Sequence, residues 1–288
     1  MIEQKAYAKI NLSLEVIGRR ADRYHDIVSV MQLVDLYDTL TFAPAQGLLV
    51  ECDEPALAAE HEGNLVWRAA RLLQETTGAT GGAHIRLYKR IPVAAGLAGG
   101  SSNAAATLVG LSRLWKLDLP MSRLRELAVQ IGSDVPFFLN GPTALVEGRG
   151  ERVTRILPPP PGRAVLVSPQ YDIPDKTRRL YASLQQRDFT EGNLTRRLVS
   201  ALVNGEFPPP ELLYNAFDRV AGEVFQSLDR VREKILRVGG RDAHLSGSGP
   251  TLYVLYPEAE HRQARALYER LQAEGLRTFL SRLVTGHD

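Results

Sequence analysis

The sequence predicts an α+β protein of two domains. Strand-like and helix-like segments come in groups, without the regular βαβ alternation of a parallel doubly wound sheet. Four consecutive prolines, Pro158 to Pro161, followed by Gly162, interrupt the chain where neither helix nor central strand can continue. The length of 288 residues suits one large or two medium domains. Together these observations put a boundary at the prolines, between residues 1–157 and 158–288.

The first element is a strand. From Lys9 to Val16 apolar and polar residues alternate, with Ile10, Leu12, Leu14 and Val16 on one face and Lys9, Asn11, Ser13 and Glu15 on the other, the pattern of a half-buried strand. Further β-rich pieces follow at 26–34, 39–42, 48–52 and 84–89, separated by turn formers. Asn64 is a good N-cap for a helix whose stripe is Leu65, Ala69, Leu72 and Leu73 and whose stop is Gly78. Two more helices are expected over 102–115 and 122–131, the latter ended by Gly132. Past the prolines come a strand near 164–168 and helices near 177–185, 194–203, 211–225 and 229–238. Two strands flank Ser246-Gly247-Ser248-Gly249, and a helix over 258–274 and a strand over 276–283 follow.

Composition narrows the function classes. With 44% hydrophobic and 24% charged residues and a net charge of +2, the chain offers no electrostatic case for a nucleic acid or an acidic membrane surface. Cys52 is the single cysteine, so neither an internal disulfide nor a cysteine-rich zinc site is expected. Charges at Glu3, Lys5, Lys9 and Glu15 break up the apolar stretch a secretion signal would need, and no segment approaches the ~18 apolar residues of a membrane span. A cytoplasmic protein is the expectation.

Three segments carry candidate chemistry. In Pro92-Val93-Ala94-Ala95-Gly96-Leu97-Ala98-Gly99-Gly100-Ser101-Ser102, small residues run from a strand end into an alanine-rich helix start. Such a loop lets backbone approach a ligand, and the unpaired first amides of the helix face an anion. A phosphate loop and a plain glycine turn before a buried helix are both consistent with that spacing. It matches neither the Walker pattern nor the dinucleotide fingerprint. Asp134 follows a helix stop and stands two residues before Pro136, where the simpler local reading is the N-cap of a short helix. Its neighbours Val135, Phe137 and Phe138 are apolar, however, so an ionised carboxylate there would want a cation. Lys9 is a candidate for that cation, against the ordinary reading of a solvated strand lysine. Gly247, Ser248 and Gly249 form a glycine motif that taken alone reads as a hairpin.

In this order the elements resemble the GHMP kinase superfamily. The resemblance rests on Ala8-Lys9-Ile10-Asn11-Leu12 followed by Tyr24-His25, on Pro92 to Ser102, on Gly132-Ser-Asp134-Val-Pro136 and on Ser246-Gly-Ser-Gly249, and it spans nearly the whole chain. It implies a ribosomal-protein-S5-like N-terminal part, a C-terminal α/β part, ATP with Mg²⁺, and phosphorylation of an alcohol of a small molecule. Tyr24-His25 after the Lys9 strand points within the family to a cytidylated methylerythritol substrate of isoprenoid precursor synthesis, phosphorylated on its 2-hydroxyl. The resemblance further implies Asp134 as proton acceptor, Lys9 as its partner and the loop amides as hydrogen-bond donors to the phosphates. It places Asn64 at the adenosine, and Asn11, Tyr24, His25 and Tyr181 at the substrate; Tyr181 also reads as a core residue and Asn64 as a simple cap. No metal ligands are assigned. Arg23 stands where the family has glycine before Tyr-His, so a left-handed backbone there would be strained. Two alternatives remain: another small-molecule kinase of the superfamily, acting on homoserine or mevalonate, and a non-catalytic nucleotide- or RNA-binding module.

Overall fold

The computed structural model describes residues 1–54, 63–171 and 173–286. The chain runs β1 (Ile2–Arg19), β2 (His25–Ala45), β3 (Leu48–Cys52), α1 (Leu65–Thr77), β4 (Gly82–Tyr88), α2 (Gly99–Leu114), α3 (Met121–Ile131), β5 (Thr143–Gly148), β6 (Arg152–Arg155) and β7 (Gly162–Val167). It continues through α4 (Lys176–Ser183), α5 (Asn193–Val203), β8 (Tyr214–Asn215), α6 (Ala221–Val224), α7 (Leu228–Arg237), β9 (His244–Leu245), β10 (Leu252–Pro257), α8 (His261–Ala273) and β11 (Thr278–Arg282).

These elements form two compact units that interleave along the chain. One comprises residues 1–8, 36–93 and 98–140, and the other 9–35, 94–97 and 141–288, so the proline run lies inside the second unit between β6 and β7. In the first unit β3 runs parallel to β4, and β4 pairs antiparallel with the second half of β2, Ile85 opposite Phe42. Helices α1, α2 and α3 build the core with this sheet, burying Leu40, Phe42, Ile85, Val66, Leu73, Leu108 and Leu127. In the second unit β5 pairs with the first half of β2 and carries β6, while β8 lies parallel to β1. A separate sheet has the order β11-β7-β10-β9. Its buried face includes Val165, Val167, Leu252 and Val254, packed with Leu267 and Leu271 of α8 and Ile235 of α7.

The capping signals hold closely. Asn64 caps α1 through its side chain, which accepts from Val66 N at 2.9 Å, and Gly78 ends the helix in the left-handed region. Several expectations need correction. β1 is not half-buried: Asn11, Ser13 and Glu15 are each at most 1% exposed, because other elements cover the polar face as well. The separate strands expected at 26–34 and 39–42 are one continuous β2. Helix α2 opens at Gly99 and not at Ser102, since a buried helix of small residues tolerates glycine where packing, not propensity, decides. The helix expected over 211–225 is broken: Asn215 pairs in β8 with Leu14 and then caps a short 3-10 turn by accepting from Phe217 N. A strand partner and a local side-chain bond together outbid helix propensity there.

Candidate active site

In the second unit the polar face of β1 forms one hydrogen-bonded set. Lys9 Nζ donates to Asn11 Oδ1 at 2.5 Å, Asn11 Nδ2 to Ser29 Oγ at 2.8 Å, and Ser29 Oγ to the Ser13 carbonyl at 2.5 Å. Lys9 is 3% exposed, which excludes the reading of a solvated strand lysine. Burying an ammonium is costly, so its hydrogen bonding to a side-chain carbonyl oxygen is a structural necessity.

Against this face lie the glycine motif and the middle of the glycine-rich loop. Leu97 O accepts from Lys9 N, Ala95 O from Thr251 N, and Gly96 O from Ser246 Oγ. A Cβ on Gly96 would stand 2.2 Å from Ser246 O, and one on Gly247 would stand 2.9 Å from Lys9 Nζ and 3.1 Å from Asn11 Oδ1. Both glycines also have positive φ, +83° and +53°. At Gly96 close approach of backbone and positive φ each demand glycine, and at Gly247 the positive φ favours it. Asn215 Nδ2 secures the motif by donating to Leu245 O and Gly247 O. The expected hairpin is present too, as β9 pairs antiparallel with β10 around the motif.

His25 and Tyr181 also meet within this unit, stacked with ring centroids 4.7 Å apart and 17° between planes. Phe189 meets His25 edge-on at 5.9 Å, and Phe217 meets Tyr181 edge-on at 4.8 Å. Burial, helped by Arg19, pulls the His25 pKa below the ordinary histidine value, so the ring favours its neutral form. Tyr24 is 56% exposed, with the Arg149 guanidinium 4.9 Å from its ring centroid. The turn before it places Arg23 at φ +69°, the left-handed conformation that glycine would favour. Arg20 braces this turn through ion pairs with Asp22 and Asp26.

The first unit, taken by itself, holds the start of α2. Ala98, at φ +54°, occupies the N-cap without a side-chain bond, and the first bond of the helix runs from Ser102 N to Ala98 O. The amides of Gly99, Gly100 and Ser101 precede that bond and lie at the positive pole of a sixteen-residue helix. A network unforeseen from the sequence fixes this entrance. Asp38 accepts from the backbone amides of Arg90 and Ile91 with one oxygen, and from Lys89 Nζ and Asn103 Nδ2 with the other. Asp38 stands 51 to 65 positions before the residues it binds, too far in sequence to show any spacing. Asp134, in the same unit, stands before a 3-10 turn over Val135–Leu139, and its side chain makes no capping bond there. The cap reading therefore fails for Asp134. Among the described residues no group of three histidine, cysteine or acidic side chains is placed to hold a metal ion, and no helix is long and apolar enough to cross a membrane.

Two family models match the chain: the GHMP kinases N-terminal domain over residues 64–142 and the GHMP kinases C-terminal domain over residues 199–276, on opposite sides of the proline run. The chain belongs to the GHMP kinase family. Among its relatives, the 4-diphosphocytidyl-2-C-methyl-D-erythritol kinase of Dehalococcoides mccartyi is 39% identical, with 97% of each chain covered. The protein of that name from Pelotomaculum thermopropionicum is 41% identical, covering 98% of this chain and all of its own. A crystal structure of 4-(cytidine 5'-diphospho)-2C-methyl-D-erythritol kinase superposes with a TM-score of 0.83 at 35% identity, over 99% of this chain and all of the other. A homoserine kinase from Cytophaga hutchinsonii shares the fold at 18% identity, with a TM-score of 0.78 and 94% of its chain covered.

Proposed function

We propose that this protein transfers the γ-phosphoryl group of ATP to the 2-hydroxyl of 4-diphosphocytidyl-2-C-methyl-D-erythritol, in the cytoplasmic supply of isoprenoid precursors. The full-length relatives at 39–41% identity support this reading, and the observation in the molecule that carries it is the stacked His25–Tyr181 pair with its aromatic surround. A neutral imidazole beside an aromatic face suits a base offering both a π surface and a hydrogen-bonding edge. A homoserine or mevalonate kinase has no use for such a pocket. Tyr24 is assigned to the same base, and Asn11 to the substrate.

Each component of phosphoryl transfer has a candidate. The uncapped amides of Gly99 to Ser101, with the loop from Pro92 to Ser102, would cradle the triphosphate; Asn64 keeps its capping role and lies at the adenosine. Mg²⁺ would arrive with the nucleotide and neutralise charge on its phosphates, and no protein ligand is assigned to it. Asp134 accepts the proton of the 2-hydroxyl, and Lys9 holds charge beside the reacting oxygen. Net charge near zero and the joint presence of these two groups speak against a non-catalytic RNA-binding module.

The test is ATP turnover with the cytidyl substrate, its uridine analogue, homoserine and mevalonate. We expect turnover with the first, a clear preference over the uridine compound, and none with the others. Equal rates with the cytidine and uridine compounds would overturn the assignment of the base pocket.

A further inference from the structure

Lys176 opens α4, the helix that also carries Tyr181. Its three ammonium protons meet Ser248 O at 3.1 Å, Ser248 Oγ at 2.8 Å and Gly249 O at 2.6 Å. All three acceptors are neutral, and among the described residues no carboxylate is paired with it. The glycine-motif turn thus has a lysine on either side: Lys9 at Gly247, Lys176 at Ser248 and Gly249. Burial first, and then repulsion from Lys9, pull the Lys176 pKa down to about 8. A partly buried ammonium held only by neutral acceptors, with a second lysine at the same turn, is a costly arrangement that an anion would relieve.

We propose that Lys176 binds the diphosphate of the cytidine substrate, a role that rests on the functional reading above. The order of groups supports it. In the substrate the diphosphate lies between the nucleoside and the polyol. In this unit Lys176 shares its helix with Tyr181, five residues or about 7.5 Å further along, and shares the glycine-motif turn with Lys9, assigned above to the reacting end. One ammonium partner is exchangeable: Ser248 Oγ, which also accepts from Thr177 Oγ1 at 2.8 Å, leaves by a single side-chain rotation. A phosphate oxygen then takes the third N–H as a charge-assisted bond.

The experiment is calorimetric titration of cytidine and cytidine diphosphate into the full-length protein and into Lys176→Gln, which keeps amide donors for the turn and removes the charge. Lys176→Met is the second charge-free variant should the first fail to fold. Loss of the cation should weaken cytidine diphosphate about 10- to 100-fold while leaving cytidine within about threefold. Lys176→Arg should recover part of the difference. Parallel weakening of both ligands, or of neither, overturns the proposal, because a residue that merely braces the turn cannot tell them apart. A rise in the KM for ATP alone also overturns it, since the anion would then be the nucleotide's. If the wild type prefers cytidine no more than uridine, the functional reading fails instead. The diphosphate increment is then measured with uridine and its diphosphate, so the two failures are separable.

Discussion

Asp134 and Lys9 illustrate how little a local reading says about a charged residue. Capping was the simpler account of Asp134, yet its side chain makes no capping bond; solvation was the simpler account of Lys9, yet it is buried beside Asn11. If the two act as one unit in proton transfer, Asp134→Asn should fold and lose about 10²- to 10⁴-fold in kcat. Lys9→Met should also lose activity, and the double variant should be scarcely worse than either single one, as for groups that act together. Steady-state kinetics on the three variants decides this, and additive losses would separate the roles. Arg23 allows a test of backbone strain. Because it is exposed and left-handed at φ +69°, Arg23→Gly should be neutral or stabilising by up to about 1 kcal/mol, the strain relieved being partly offset by unfolded-chain entropy. Arg23→Val should destabilise, since a β-branched side chain fits that conformation poorly. Urea unfolding of both variants measures the sign.

At the scale of elements, the entrance to α2 depends on the buried Asp38–Lys89 pair. Asp38 is fully buried and the Lys89 side chain is 6% exposed, so removing the carboxylate leaves an ammonium without its countercharge. Asp38→Asn should therefore cost about 3 kcal/mol or more and raise the KM for ATP, because the amides of Arg90 and Ile91 lose their anchor. The double variant Asp38→Asn, Lys89→Met should regain part of the stability, since no buried charge remains unpaired. Denaturant unfolding of single and double variants supplies the measurement; a double variant less stable than the single one would mean that the ion pair is not the reason for the loss.

For the whole molecule, part of the acid limb of stability is assigned to His244. Burial, with Arg232 contributing, brings its pKa down to about 4 from an ordinary 6.5. Between those values the unfolded chain binds the proton and the folded one does not, so stability falls as pH drops through this window and is constant above it. The contribution amounts to up to about 3 kcal/mol. His244→Gln should make the melting temperature fall less steeply than in wild type between pH 6.5 and 4. Parallel curves would assign the acid loss to other groups.

What the sequence determined by itself was whatever chemistry local in the chain can specify. Asn64 and Gly78 bound α1 because caps act through bonds to residues two to four positions away. The glycine-rich loop at 92–102 and the glycine motif at 246–249 were each visible because glycine is chosen by backbone geometry. Tertiary structure alone decided what long-range packing specifies. It buried the second face of β1, continued β2 through a stretch read as two strands, and broke the helix expected at 211–225 by pairing Asn215 with Leu14. It also assembled Asp38 with Lys89 and Asn103, and Lys176 with Ser248. These residues are joined by no periodicity or spacing, since a contact between residues 72 positions apart leaves no mark on the sequence near either one.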